Sequence, residues 1–330
     1  MKKIIAKIMA FVSAAALALP LAACGNDEEN VVHVYMPDGA PAVALSALMD
    51  SGYAGTEFKV VAAATIGGLV NNGTADMAIM PINAAAASYN RGTGIVMLSV
   101  NTHGNLYVVG GDADIAPAAL VDHSLGVIGA GNVPDLTVRM LFDEIEVPYE
   151  TVRDMEDGKV KKVSGKVALY YADDATGILP LLKTGKLDYA LVGEPAATNS
   201  GAHIAIDMQE QWRAAFGKGY PQACLVAKKS LVQNNKKYVD GFLAALSASD
   251  GWAARNPDKA LAAVKNHFDG TSTLKVLTET IVENCNILTV PAMQKKDDCD
   301  AFFGALTQMK TGNGTAVLAK VPDADFYYQP

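Results

Sequence analysis

From residue 31 onward, short apolar runs alternate with longer stretches of helical spacing. "VVHVYM" (31–36) predicts a strand and "PDGAPAVALSALMD" a loop entering a helix, with Val43, Leu45, Leu48 and Met49 at helical spacing. Pro41 suits a first helical turn, where its missing N–H costs nothing. "FKVVAAA" predicts the next strand, "IGGLVNNG" a short helix closing at Gly73, and "ADMAIMPINAAAAS" a third strand running into a helix. Strand, helix, strand, helix in this order predicts a mainly parallel sheet with helices on its faces.

The pattern occurs twice. "GTADMAIMPINAAA" (73–86) and "GKLDYALVGEPAAT" (185–198) share Gly-x-x-Asp-x-Ala, two large apolar residues, a polar or proline break, and Ala-Ala, 112 residues apart. "VVHVYMPDGAPAVALSALM" (31–49) likewise has a counterpart in "SLGVIGAGNVPDLTVRMLF" (124–142). So wide a spacing is too long for a solenoid repeat and predicts two similar α/β lobes. In each unit the glycine closes a helix, the Asp sits in the turn and the apolar run is a strand buried on both faces. Asp76 and Asp188, which precede their strands, are therefore expected to be scaffold. Ligands of such sheets gather beyond the carboxyl ends of the strands, where helix starts offer free N–H groups. Four loops qualify: Pro37–Pro41, Pro81–Ala85, Gly129–Asp135 and Gly193–Ala197.

"IVMLSVNTHGNLYVVG" (95–110) is β-rich with no helix between its halves, and predicts the crossing from lobe one to lobe two; "GYPQACLVAKKSL" (219–231) predicts the return. Later amphipathic stretches, including "YVDGFLAALSASDGWAARNPDKALAAVKNHF", are expected to pack back on lobe one. This places lobe one at 31–103 plus 224–330 and lobe two at 104–223.

Composition supports a chain with substantial cores: 330 residues, 50% hydrophobic and 19% charged. The first 23 residues stand apart. Lys2, Lys3 and Lys7 precede an apolar run from Ile8 to Leu21, the order of an export signal. Its removal changes the formal charge from −8 to −11, because those three lysines go and no acid goes with them. So acidic a chain argues against a nucleic-acid partner. The five histidines are scattered without ligand spacing and the cysteines form no metal motif, so neither metal nor cofactor is expected. Cys224, in "ACLVA", is expected to be a buried thiol, and Cys285 and Cys299 are candidates for a disulfide closing a short surface loop. "GVIGAG" (126–131) is a poor dinucleotide loop, since Pro134 stands where the third glycine belongs, and neither a P-loop nor a nucleophile elbow occurs.

Leu21-Ala22-Ala23-Cys24 resembles the lipobox of bacterial lipoproteins. Together with "GKLDYALVGEP", "GVIGAGNVPDLTVRML" and "WAARNPDKAL", it makes the chain similar to the solute-binding lipoproteins of bacterial ABC importers. The likeness is greatest to the group whose members carry sulfonates, nitrate or the pyrimidine precursor of thiamine. The resemblance implies a type II periplasmic-binding fold with ligand between the lobes, and acylation at Cys24 with residues 24–30 as tether. It also implies an extracytoplasmic, membrane-anchored monomer that binds a small molecule, has an ABC permease and its ATPase as partners, and is not an enzyme. It places ligand contacts on Asp38, Gly39 and Ala40, on Asn83 and Ala84, on Gly131 and Asn132, and on Glu194, with Thr102 and His103 lining the start of the crossing. Glu194 also reads as a cap for the helix opening at Pro195, Asn83 as a similar cap, and His103 as a satisfied hinge residue. Tyr170 and Tyr171 suit packing better than covering a planar ligand. The four loops contain no Lys or Arg, unlike a pocket built for sulfonate or nitrate. Helix-start N–H groups suit an anionic group of the ligand and Glu194 a cation or an N–H donor, so a nitrogen-containing ligand is expected. A ligand sensor, or an enzyme on the same fold such as a thiamine-pyrimidine-type synthase, is the alternative.

Overall fold

A computed structural model describes residues 31–270, 272–311 and 313–330. The export signal, the tether and Cys24 lie outside the described residues.

The chain begins β1 (Val32–Pro37), α1 (Ala40–Ser51), β2 (Thr56–Val61), α2 (Ile66–Asn71), β3 (Met77–Pro81), α3 (Ile82–Asn90) and β4 (Ile95–Thr102). It continues through β5 (Leu106–Gly110), β6 (Ser124–Ile128), α4 (Val133–Glu144), β7 (Tyr149–Thr151), the short hairpin β8 (Met155–Glu156) and β9 (Lys159–Val160), and β10 (Val167–Ala172). Then come α5 (Ala175–Lys183), β11 (Tyr189–Gly193), α6 (Ala196–Asn199), β12 (Ile204–Asp207), α7 (Met208–Phe216) and β13 (Ala223–Lys228). The last part carries α8 (Lys229–Asn234), α9 (Lys236–Ala248), α10 (Trp252–Arg255), α11 (Pro257–Asn266), α12 (Glu279–Asn284) and α13 (Lys296–Gln308), with β14 (Ile287–Pro291) between the last two.

Two six-stranded sheets result, ordered β14-β4-β13-β3-β1-β2 and β12-β5-β11-β6-β10-β7. The fold is α/β with two similar lobes and mixed, mainly parallel sheets. In each lobe the strand arriving from the other lobe wedges in antiparallel to its neighbours: β5 between β11 and β12, β13 between β3 and β4. The repeated strands are buried on both faces, as their unbroken apolar runs require. On β3, Met77 and Ile79 pack into one cluster while Ala78 and Met80 pack into the other. Each such fully buried large side chain contributes about 1.5–3 kcal/mol.

The shared Asp has one role in both copies. Asp76 accepts the backbone N–H of His33 at 2.9 Å and pairs with Lys228 at 2.7 Å. Asp188 accepts the N–H of Ser124 at 2.8 Å and pairs with Lys162 at 2.8 Å. Each ties the start of its strand to the neighbouring parallel strand. Gly73 and Gly185, with φ of 74° and 65°, end the preceding helices in the left-handed conformation. The other correspondence needs a shift. Met77 pairs with Val34 and Tyr189 with Leu125, which equates His33, not Val31, with Ser124. The helices keep the original alignment, because two residues separate β1 from α1 but four separate β6 from α4. The loop of lobe two is longer by two residues.

The expected Cys285–Cys299 pair is not formed: both thiols are free and buried. Cys285 closes α12 near Glu194, whereas Cys299, inside α13, packs in the cluster that holds Cys224. Helical structure carries the two thiols into different neighbourhoods, and burial pushes both upward from their ordinary value. Cys224 is buried as expected.

Candidate functional site

The lobes are joined at a seam of polar residues where the crossings leave their strands. Pro81, Ala223 and Thr102 stand side by side at the ends of β3, β13 and β4. Just outside them, Gln222 donates its N–H to Thr102 O at 3.0 Å and accepts the Ile82 N–H at 3.1 Å. Its side chain forms a reciprocal pair with Asn105: Asn105 N–H donates to Oε1 at 2.9 Å, and Nε2 donates to Asn105 Oδ1 at 2.6 Å. Asn105 O in turn accepts the Glu194 N–H at 3.0 Å. One hydrogen-bonded row thus runs from lobe one through both crossings to lobe two.

Asn83 and Gly131 meet across this seam. Asn83, in the first turn of α3 and 7% exposed, donates from Nδ2 to Gly131 O at 2.9 Å. That bond fixes the amide's orientation, since the carbonyl can only accept. Among the described residues Asn83 Oδ1 is left buried with no partner, and so is Oγ1 of Thr102, which is 1% exposed. An unmade hydrogen bond at a buried polar atom costs about 1–3 kcal/mol.

On the far side, Gly131 N–H donates to Asp135 Oδ2 at 2.8 Å. Asp135, 4% exposed, also accepts a two-pronged pair from Arg139 at 2.8 and 3.0 Å and the Tyr171 hydroxyl at 2.7 Å. Burial and the adjacent carboxylate push the Tyr171 hydroxyl well up, keeping it protonated as a donor. Asn132 precedes α4 and makes no side-chain cap. Gly131, Asp135, Arg139 and both Tyr170 and Tyr171 line a groove of about 1130 Å³ that also carries Arg153 and Lys161. The four loops hold no cation, yet folding gathers three around this groove from α4 and the segment after β7.

Asp38, Gly39 and Ala40 lie at the start of α1, and Gly39 has φ 108°. The Asp38 carboxylate is already taken up by Ser272 Oγ at 2.8 Å, Thr273 N at 2.6 Å and Thr273 Oγ1 at 2.7 Å. Glu194 is 3% exposed, and its two oxygens accept the Thr198 N–H at 3.0 Å and hydroxyl at 2.5 Å. Its carboxylate is therefore engaged with the third residue of α6 from one place before the N-cap Pro195, which is close to the second of its two readings. Ala84 is half-buried beside Asn83 on α3. His103 belongs to the crossing: its Nε2 lies 2.9 Å from Leu288 O, and its N–H donates to Asn286 O. Burial holds its imidazole below the ordinary 6.5, with Lys295 reinforcing and the Leu288 carbonyl opposing. Among the described residues no group of three or more His, Cys, Asp or Glu converges as a metal site would require.

Asn105, Gln222, Asp135 and Arg139 are the residues that sequence reasoning passed over. The signal for the first two was present: each is a lone polar residue at the mouth of an apolar strand, in "HGNLYVV" and "YPQACLV".

No protein-family model matches the chain, and no curated protein does. Solved structures do. An ABC transporter from Parabacteroides distasonis aligns over 91% of this chain and 99% of its own, with TM-score 0.70 and 24% identity. The ligand binding component of an ABC-type import system from Staphylococcus aureus, with zinc bound, aligns over 90% and 98%, with TM-score 0.58 and 12% identity. The periplasmic aliphatic sulphonate binding protein of Escherichia coli aligns over 91% and 92%, with TM-score 0.57 and 11% identity. The chain has the two-lobed α/β fold of the binding components of ABC importers.

Proposed function

We propose that this chain is an extracytoplasmic solute-binding protein that captures a small molecule between its lobes and delivers it to an ABC import permease. Residues 31–103 with 224–330 act as lobe one and 104–223 as lobe two. Residues 1–23 are removed on export and Cys24 carries the lipid that holds the protein at the membrane surface; two acyl chains suffice for durable anchoring where one does not. The protein acts as a monomer and performs no chemistry on its cargo.

One observation carries the reading: Asn83 spans the seam, holding lobe two through Gly131 while its own buried Oδ1 lacks a partner. An oxygen so placed accepts an N–H or O–H from a bound molecule, and Thr102 Oγ1 offers a second such group at the end of β4. The favoured ligand is a small nitrogen-containing compound whose N–H faces Asn83. Glu194, its carboxylate committed to Thr198, shapes the seam without touching the ligand. Contacts recovered only when the lobes meet are what let a binding protein couple capture to closure.

Mass spectrometry of small molecules released from freshly purified protein, followed by titration calorimetry with the compound found, tests this. A nitrogen-containing compound that binds one to one, and loses affinity in Asn83→Ala, is expected. A ligand whose affinity ignores Asn83→Ala, or conversion of the compound by the protein, overturns the reading.

A further inference from the structure

Beside the two crossings, a partly open cavity of about 100 Å³ lies between α7 of lobe two, the start of α13 of lobe one, and the crossing segments themselves. A water needs about 10–15 Å³ of such space, so a single small polyatomic ion fits. The walls are mostly polar, with Arg213 and Lys295 as the permanent cations. Arg213 enters from α7; Lys295 and Asp298 enter from the start of α13; His103 and Tyr220 come from the crossings.

The charge does not balance. Asp298 is the one carboxylate lining the cavity, and it is shared by Lys295 at 3.0 Å and Lys218 at 3.7 Å. Arg213 forms no ion pair among the described residues, and burial keeps the His103 imidazole below its ordinary value. Inside the cavity one acid therefore faces two permanent cations, Arg213 from lobe two and Lys295 from lobe one, while Lys218 reaches the same acid from outside the lining. Tyr220 leaves little scope for the walls to relax: its ring packs on Trp212 with centroids 4.9 Å apart, and its hydroxyl is tied to Gln209 at 2.8 Å.

We infer that this cavity is an anion site, distinct from the ligand seam, that takes a small oxyanion such as inorganic phosphate or sulfate and braces the hinge. The guanidinium of Arg213 presents a planar fork of donors suited to two oxygens of one oxyanion, and Lys295 adds a point charge from the opposite lobe. An ion held between them adds one attraction from each lobe across the crossings. It therefore favours the lobe arrangement in which Arg213 and Lys295 line one cavity, by as much as its affinity differs between arrangements.

Trp212 adjoins Arg213 and is buried against Phe216 and Tyr220, which makes it a local reporter. In a Trp252→Phe background it is the sole tryptophan. Inorganic phosphate and sulfate are titrated in separate arms, with ionic strength held constant by sodium chloride, while Trp212 emission and the melting temperature are followed. A saturable emission change with a rise in melting temperature is expected from either oxyanion. Arg213→Gln, at an exposed helix position where the fold is retained, weakens it by about tenfold or more, the loss of one charge-assisted hydrogen bond. Lys295→Gln weakens it in the same direction, and Asn83→Ala leaves it intact. No saturable response beyond chloride, or an unchanged apparent Kd in Arg213→Gln with folding verified by circular dichroism, overturns the proposal. Loss of the response in Asn83→Ala alone also overturns it, by assigning the ion to the seam.

Discussion

The two copies of the repeated unit begin alike and end differently. Asp76 and Asp188 each take an N–H from the neighbouring strand and a lysine ammonium, 112 residues apart in the chain. Past the strand the likeness stops. Where lobe one has Ile82-Asn83, lobe two has Glu194-Pro195. Asn83 reaches across the seam and keeps a free oxygen, while Glu194 turns inward and gives both oxygens to Thr198. The charged residue is spent on its own helix, and the neutral amide keeps a buried acceptor without a partner among the described residues. Charge at a strand end identifies a site only when the local backbone leaves that charge unspent.

The same contrast holds between the loops after the first strand of each lobe. Asp38 is held by Ser272 and Thr273, more than 230 residues away in sequence. The longer loop of lobe two is held from within its own helix by Asp135.

Asp135→Ala breaks this second contrast most severely. It strands Arg139 and the Gly131 N–H and is expected to cost about 3–5 kcal/mol in urea unfolding, as for removal of one partner of a buried ion pair. Asp38→Ala loses neutral donors only and is expected to cost about half as much or less. Next in size is the contrast at the seam. With the ligand identified, Asn83→Ala is expected to weaken binding about tenfold or more, the worth of one buried hydrogen bond, with Kd read by calorimetry. Glu194→Gln is expected to lower stability while leaving Kd within about twofold; a Kd that rises as much as in Asn83→Ala would return the carboxylate to the site. Asp76→Asn and Asp188→Asn are each expected to cost about 1–2 kcal/mol in thermal unfolding, and a large difference between them would end the equivalence of the two scaffolds.

The smallest effect is in pH. Burial acts to raise the Asp188 carboxyl, but Lys162 and the Ser124 donors outweigh it and hold it below the ordinary 3.8. A depressed folded value gives stability that is present above about pH 4 and lost as pH falls through the folded value. Acid unfolding of Asp188→Asn should therefore depend less steeply on pH below 4 than that of the unmodified protein; equal slopes would remove Asp188 from the account.

Much of the architecture was legible because it rests on periodicity and on backbone demands. Apolar runs such as "MAIM" and "YALV" marked strands buried on both faces, Gly73 and Gly185 marked helix ends, and the repeat announced two lobes. The partners of polar side chains were not legible. Nothing in the order of residues says that Asp38 will be met by Thr273, or that Arg139 and Arg153 will line the groove beside Gly131. A polar group's role depends on which donors folding brings within about 3 Å, and those come from distant parts of the chain.

The sequence by itself determined the order of strands and helices, the doubling of the α/β unit, the scaffold role of the shared Asp and the places where the chain crosses between lobes. Only the tertiary structure decided that Cys285 and Cys299 stay apart, that Glu194 is spent on Thr198, and that Asn83 bridges to Gly131 with an oxygen to spare. The first set follows from local backbone geometry and the burial of apolar runs, which nearby residues specify. The second depends on distances of a few ångströms between residues far apart in sequence, and those distances exist only once the lobes have packed.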